Sequence, residues 1–288
     1  MTATTTAAPT GQTRRTAPLP GALRLGVART RYEVRTFFRE RDAVIFIFAY
    51  PVIMLAIFAT VFGQDGSDID FGGLAVSFPQ YFLPGMVATG VMLTSFQNIA
   101  ISIAVERDEG GLKRLRATPM PASSYFLGKI GQVLVNCLLQ MAILLAVAAL
   151  AFDVPLPDDA AGWGTFAWVF LLGTTTGAVC GVAFSSLPRS GRSASAVVTP
   201  IVLVLQFISG VFFRFDELPS WMQQLASVFP LKWMAQGMRS VFLPDEAAVL
   251  EVDGTWQHGM TAAVLGAWLV VGLVVGVRTF RWRRRDDG

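Results

Sequence analysis

Residues 130–152 read IGQVLVNCLLQMAILLAVAALAF, a stretch without a single Asp, Glu, Lys or Arg. A helix rises 1.5 Å per residue, so roughly 20 apolar residues cross the hydrocarbon core of a bilayer. Lipid offers the backbone no hydrogen-bond partner, so a run of this kind must satisfy itself as a helix. Five more charge-free windows flank it, at 43–64, 71–105, 160–188, 193–213 and 254–277. Strands of a membrane barrel would alternate polar and apolar residues, and these windows do not. The chain is 53% hydrophobic and 15% charged, against roughly 25% charged in a soluble domain. The expected fold is therefore an all-α integral membrane protein with six transmembrane helices.

Orientation follows from Lys and Arg, which stay on the cytoplasmic side. Six spans put the N-terminal tail, the loops 106–129 and 189–192 and the C-terminal tail on one side, where 20 of the 23 basic residues lie. The other side carries Arg214, Lys232 and Arg239. The expectation is a multi-pass protein of the cell membrane with both termini cytoplasmic. The basic pI of about 9.1 then reflects topology, and without a recognition motif no nucleic-acid partner is expected. Arg14-Arg15 and the run Arg281–Arg285 lie beside the membrane, where anionic headgroups attract them. Cys137 and Cys180 fall inside spans and do not suggest a disulfide framework. The first apolar run follows a long basic segment, unlike a cleaved signal peptide.

Four segments follow. Residues 1–21, rich in Thr, Ala and Pro, read as a disordered tail. Residues 22–42 read as an amphipathic cytoplasmic helix lying in the interface, with Leu23, Val27, Thr30, Val34, Phe37 and Phe38 on one face and Arg24, Arg31, Arg35 and Arg39 flanking it. The alternative is an ordinary juxtamembrane basic segment. Residues 43–280 hold the six spans, and 281–288 form a basic cytoplasmic tail. The first outer loop is acidic (Asp65, Asp68, Asp70). Pro84-Gly85 predicts an irregular outer end of span two, which is expected over Tyr81–Val105. Span four carries Gly173, Gly177 and Gly181, a ridge suited to close helix approach. Span five is expected to run to Phe213. Between it and span six, Trp221, Met222, Leu225 and Phe229 form one apolar face, and Leu231, Met234, Met238 and Phe242, after Pro230, form another. They predict an outer hairpin of two short helices, in the outer leaflet or re-entrant.

Missing chemistry narrows the function. Ion-coupled transport normally needs Asp, Glu, His or Arg within the spans, and the windows hold none of these but His258, at the outer mouth of span six. His258 is the only histidine, and no metal cluster can be built around it. Paired Asp, a Ser–His pair or a zinc motif for intramembrane proteolysis is absent. Gly128-Lys129 lacks the preceding glycine and following Ser or Thr of a phosphate-binding loop. No catalytic or metal residue and no cofactor is therefore expected in this chain. Gln97, Asn98 and Ser102 in span two, Asn136 and Gln140 in span three and Gln206 in span five remain. Such amides either bind a ligand or hold helices together. With Phe207, Phe212, Phe213 and Met92 nearby in sequence, a conduit here suits a hydrophobic or amphiphilic cargo better than an ion.

The loop Glu106-Arg107-Asp108-Glu109-Gly110-Gly111-Leu112-Lys113-Arg114-Leu115-Arg116-Ala117-Thr118-Pro119 places acids before bases, which suits a short helix and its dipole. Leu112 and Leu115 share a face, and Thr118-Pro119 stops the helix. It is either a lever for a soluble partner or a solvated loop that sets topology.

At these residues the sequence resembles the permease subunits of the type-two ABC exporters, whose loop reads E-R-E-x-G-T-L-x-R-L-x-x-T-P. Gly111 stands in place of the Thr. Tyr81-Phe82-Leu83-Pro84-Gly85 is similar to the family's opening of span two. Ser209-Gly210-Val211-Phe212-Phe213 and Glu217-Leu218-Pro219-Ser220-Trp221 are similar to its exit from span five, with Arg214 where a proline is common. Phe229-Pro230-Leu231-Lys232-Trp233 followed by Arg239 resembles its P-L-T-Y…R element. The likeness covers about residues 22–280.

The resemblance implies two permease copies, identical or paralogous, each seated on an ABC ATP-binding subunit that holds ATP and Mg. It implies that Glu106, Arg107, Glu109, Leu112, Arg114 and Leu115, with the helix from Leu23, dock on that ATPase. Spans two and five would line the path, with Gln97, Asn98, Gln206, Phe207 and Phe213 along it. The hairpin with Trp221, Pro230, Lys232 and Arg239 would seal the outer mouth, its two cations meeting lipid phosphates or anionic cargo, or anchoring it at the headgroups. The expected function is outward movement of a drug, lipid or natural product. The rival is a membrane scaffold or sensor whose loop recruits a partner without moving cargo.

Overall fold

Apolar runs too long for any loop fold as helices throughout the computed structural model, which describes residues 21–63, 69–70 and 75–282. Six helices are long and apolar enough to cross a membrane. Span one is α2 (Arg41–Phe62). Span two is α3 (Phe78–Met92), a π-helical turn Leu93–Gln97 and α4 (Asn98–Asp108). Spans three to six are α6 (Ala122–Ala151), α7 (Ala160–Phe184), α8 (Gly191–Ile208) and α11 (His258–Thr279). Among the described residues four α-helices lie outside them, α1 (Ala22–Arg39), α5 (Gly111–Arg116), α9 (Ser220–Ser227) and α10 (Pro230–Phe242), with a short 3-10 helix at Asp245–Leu250. Ile69–Asp70 and Ala75–Val76 make one short antiparallel pairing. The tail before residue 21, Asp65, Asp68 and residues 283–288 lie outside the described residues.

Span two is the most enclosed helix, while spans one and six bury the least of themselves. Packing explains this order. Span two touches α2, α6, α7, α8 and α10, whereas α11 rests chiefly on α7. The glycine ridge of α7 receives span two and α10: a Cβ at Gly181 would stand 2.7 Å from the Phe96 carbonyl oxygen, and one at Gly177 would strike Ser95. With little hydrophobic drive between helices in lipid, such close backbone approach supplies the dispersion contacts.

Three sequence expectations move. Pro84-Gly85 does not break span two, since α3 runs through Pro84. The irregularity is the π turn from Leu93, pinned where Thr94 donates to Gln140 Oε1 at 2.7 Å. Span five stops at Ile208, short of Phe213, because Gly210 takes a left-handed φ of 70° and lets buried Phe215 fold back against it. The expected apolar face of α1 splits. Phe37 is buried with Gly26 and Glu33, while Leu23, Val27 and Phe38 stay exposed. Gly128 and Gly131 of α6 set that choice, since side chains at either would collide with Arg29 and Thr30.

The hairpin region forms two helices. Leu231, Met234, Met238 and Phe242 of α10 are buried as the periodicity requires, and α10 packs among α3, α7 and α11. On α9 only Ala226 is buried, and Trp221 and Leu225 face outward.

Candidate functional site

The basic end of the bundle gathers an ion cluster. Span two runs past its apolar core to Asp108, and Gly110, at φ 74°, turns the chain into α5. A residue with positive φ after a helix favours glycine. This turn leaves Glu106 beside α6. There Tyr125 Oη donates to Glu106 Oε2 at 3.0 Å, and Lys129 pairs with Glu106 Oε1. Lys129 Nζ also lies 3.0 Å from Glu33 Oε2 of α1, and Arg29 pairs with Glu33 one turn earlier. Lys129 and Glu33 are buried. Buried ions persist when they are paired and hydrogen-bonded, so this network fixes α1, span two and span three to one another.

The residues expected on the docking loop divide. Arg107 turns inward and donates to the carbonyl oxygens of Ser185 (2.7 Å) and Pro188 (3.3 Å), tying span two to the turn between α7 and α8. Leu112 is fully buried, and Leu115 packs partly against the same core. Glu109 and Arg114 face outward with Lys113 and Arg116. The loop is thus anchored by its leucines and Arg107 and presents its remaining charges.

Beside this cluster lies a cleft of about 920 Å³ between α1, α2, α4 and α8. Its depth holds uncharged polar groups: Tyr50, Gln97, Asn98 and Gln206. Tyr50 Oη donates to Gln206 Oε1 at 3.3 Å, and Gln97 Nε2 to Thr199 Oγ1 at 3.4 Å. Leu93, Ile101, Val202 and Leu203 supply apolar wall, while Glu33, Glu106, Glu109 and Arg114 stand at one end. Gln97, Asn98 and Gln206, far apart in sequence, are therefore brought together. Phe207 and Phe213 are not among the lining residues and are exposed. Tyr50 was missed from the sequence; it sits on the same span as Phe46 and Ile47, and no polar pattern marks it. Asn136 and Gln140 lie elsewhere, buried against span two, and Gln140 bonds Thr94 and the Ile47 carbonyl oxygen.

Above the cleft, toward the opposite end of the bundle, phenylalanines stack. The ring centroids of Phe58 and Phe82 lie 4.6 Å apart and those of Phe58 and Phe212 6.0 Å apart, joining span one, span two and the span-five exit.

Lys232 and Arg239 also turn inward. Arg239 Nε donates to Glu251 Oε1 at 2.7 Å and its Nη1 to the Gly210 carbonyl oxygen at 3.1 Å. Lys232 Nζ is 3.8 Å from Glu251 Oε2 and 3.9 Å from the Trp233 ring centroid. All three charged residues are buried and form an internal ion cluster. Burial pushes the Lys232 ammonium down to about 8, and Glu251 opposes that fall. Glu251 was missed; it stands among Asp245, Glu246 and Asp253 in the same segment, and nothing in the sequence sets it apart from them. Pro230 opens α10 at its first turn.

Among the described residues no group of three or more His, Cys, Asp or Glu could hold a metal ion.

Six apolar helices, a cleft bordered by spans one, two and five, and a charged loop folded onto one end describe a multi-pass membrane protein. The family described as ABC-2 type transporter matches residues 27–243, and the chain belongs to it. It is a transmembrane subunit of an ABC transporter, and that membership implies an ATP-binding partner and a dimeric permease arrangement. The chain is similar to the inner membrane transport permease YadH of Escherichia coli (strain K12), 26% identical over 232 residues that cover 80% of this chain and 88% of that protein. It is similar to the probable multidrug ABC transporter permease YbhR of the same strain, 22% identical over 67% of this chain and 51% of that one. It is also similar to ABC transporter G family member 20 of Dictyostelium discoideum, 24% identical over 72% of this chain and 27% of that one.

Proposed function

We propose that this chain is the permease half of an exporter that moves a hydrophobic or amphiphilic substrate (drug, lipid or natural product) outward, using ATP hydrolysed with Mg by a separate subunit. Two copies, identical or paralogous, face each other. Both termini are cytoplasmic in this reading, which the placement of Lys and Arg supports. The helix α1 lies in the cytoplasmic interface, residues 43–280 form the transport domain, and α9 and α10 form a re-entrant hairpin at the outer mouth.

One observation carries this reading. Glu106 borders the cleft, lies in the last turn of α4 before the chain turns into α5, and pairs with Lys129, which also pairs with Glu33. A push on the exposed charges Glu109 and Arg114, which stand at one end of the cleft, is passed to its walls through this paired network. Gln97, Asn98, Gln206 and Tyr50 supply neutral hydrogen-bonding groups among apolar walls, the usual make-up of a small-molecule site. The Phe58–Phe82–Phe212 stack closes the far side, and Arg239, bonded to the span-five exit, holds the hairpin over it. Similarity to YbhR, named a probable multidrug ABC transporter permease, supports a drug-like cargo.

The test is ATP-dependent uptake of a fluorescent amphiphile into inside-out vesicles carrying the chain with its ATP-binding partner. Uptake that needs both subunits and hydrolysable ATP supports export. Hydrolysis with no movement of any amphiphile across a broad panel points instead to a scaffold or sensor.

A further inference from the structure

The helix α1 divides around its axis into three sectors. Gly26, Thr30, Glu33 and Phe37 face α6 and the ion cluster. Next to them come Leu23, Val27 and Phe38, which are exposed. Beyond those lie Arg24, Arg31, Arg35 and Arg39, also exposed and with no acidic partner among the described residues. The single residue Glu40 separates α1 from span one, which keeps the helix at the level where that span leaves the bilayer. Exposed apolar side chains bordered by guanidiniums match a boundary where acyl chains meet anionic phosphate. Leu23 and Val27, one turn apart, stay exposed beside the arginine row, as an apolar border facing acyl chains would.

We propose that the Arg24–Arg31–Arg35 stripe of α1 is a binding surface for anionic phospholipid headgroups, with Leu23 and Val27 seated among the upper acyl carbons. This rests on the interfacial placement of α1 proposed above. Because Glu33 on the same helix holds Lys129, lipid bound to the stripe acts on the cluster at Glu106. The other occupant such a stripe could take is an acidic face of the ATP-binding subunit, but the adjoining exposed apolar sector favours the membrane.

The experiment uses the full chain with its ATP-binding partner in phosphatidylcholine vesicles containing a minor fraction of spin-labelled phosphatidylglycerol or spin-labelled phosphatidylcholine. The motionally restricted fraction of each lipid gives relative affinity at the protein surface. The wild type is expected to prefer phosphatidylglycerol, with each arginine contributing up to about fivefold and the preference collapsing at about 1 M salt. The triple variant R24Q/R31Q/R35Q is expected to lose most of that preference while the basic tails are intact. Equal affinity for the two lipids in the wild type, or an unchanged preference in the triple variant, overturns the proposal. Unchanged preference together with loss of the ATP-binding subunit on co-purification assigns the stripe to protein docking. A spin label at Val27→Cys, in a background with Cys137 and Cys180 replaced by Ser, separates the two claims. A label at water depth removes the interfacial placement itself; headgroup depth without lipid preference removes only the anionic-lipid site.

Discussion

The Lys129 ammonium, on span three, lies 3.0 Å from the Glu33 carboxylate of α1, and both side chains are withdrawn from solvent. The same nitrogen pairs with Glu106 at the end of span two. One cation therefore holds two carboxylates from separate elements, and its removal leaves Glu33 with Arg29 alone and Glu106 with only the Tyr125 hydroxyl.

Lys129→Met is expected to destabilise the fold by about 3–5 kcal/mol, the cost of breaking a buried pair from one side. The double variant K129M/E33Q should recover part of that loss, since one stranded charge goes with the partner. Thermal unfolding of the purified chain in detergent measures both, and strict additivity would show that the two residues do not interact.

At the opposite end, two cations share one carboxylate, so the partners are unequal. Glu251→Gln leaves Arg239 and Lys232 buried together and should cost about 3 kcal/mol or more. Lys232→Met removes the surplus cation and should be near neutral or stabilising. Circular dichroism melts of the two variants at pH 7 check the ordering, and a larger loss in K232M would contradict it.

The same lysine predicts a pH dependence. Its ammonium releases a proton near 8 in the folded chain and near 10.4 when unfolded. Between these values the unfolded state binds more protons, so the Lys232 contribution to stability rises with pH. Below about 8 both states hold the proton and the contribution is flat. The difference in melting temperature between wild type and K232M should therefore change across pH 8–10 and stay constant from pH 6 to 7.5.

Close helix approach gives a packing prediction. Gly181→Val places a Cβ against the Phe96 carbonyl oxygen, a backbone atom that cannot swing aside, and should cost about 1–3 kcal/mol or more. Gly164, on the same helix, has nothing within 4 Å of the position a Cβ would take, so Gly164→Ala should be tolerated. Yield of monodisperse protein and its melting temperature distinguish the two.

Span count was legible because length and absence of charge act over whole windows and need no partner. The face of α10 was legible for the same reason: Leu231, Met234, Met238 and Phe242 repeat at helical spacing. The inward turn of Lys232 and Arg239 was not, because it depends on Glu251, which lies across a loop. Gln97 and Gln206 were readable as polar residues in apolar spans, yet their meeting in one cleft is set by the packing of α4 on α8. The π turn at Leu93–Gln97 left no mark in composition, and Pro84, which did, is absorbed within α3. In the loop after span two, sequence marked the charges correctly as a group. Burial then separated Arg107 and Leu112 from Glu109 and Arg114.

The central claim is that the Glu106–Lys129–Glu33 network transmits ATP hydrolysis to the cleft. The direct measurement is the ratio of amphiphile transported to ATP hydrolysed, in inside-out vesicles carrying this chain and its ATP-binding partner. Glu106→Gln keeps the size of the side chain and one acceptor but removes its charge. This variant is expected to assemble and hydrolyse ATP while the ratio falls by about tenfold, roughly the 1.4 kcal/mol of one charge-assisted contact. An unchanged ratio with undiminished transport would contradict it.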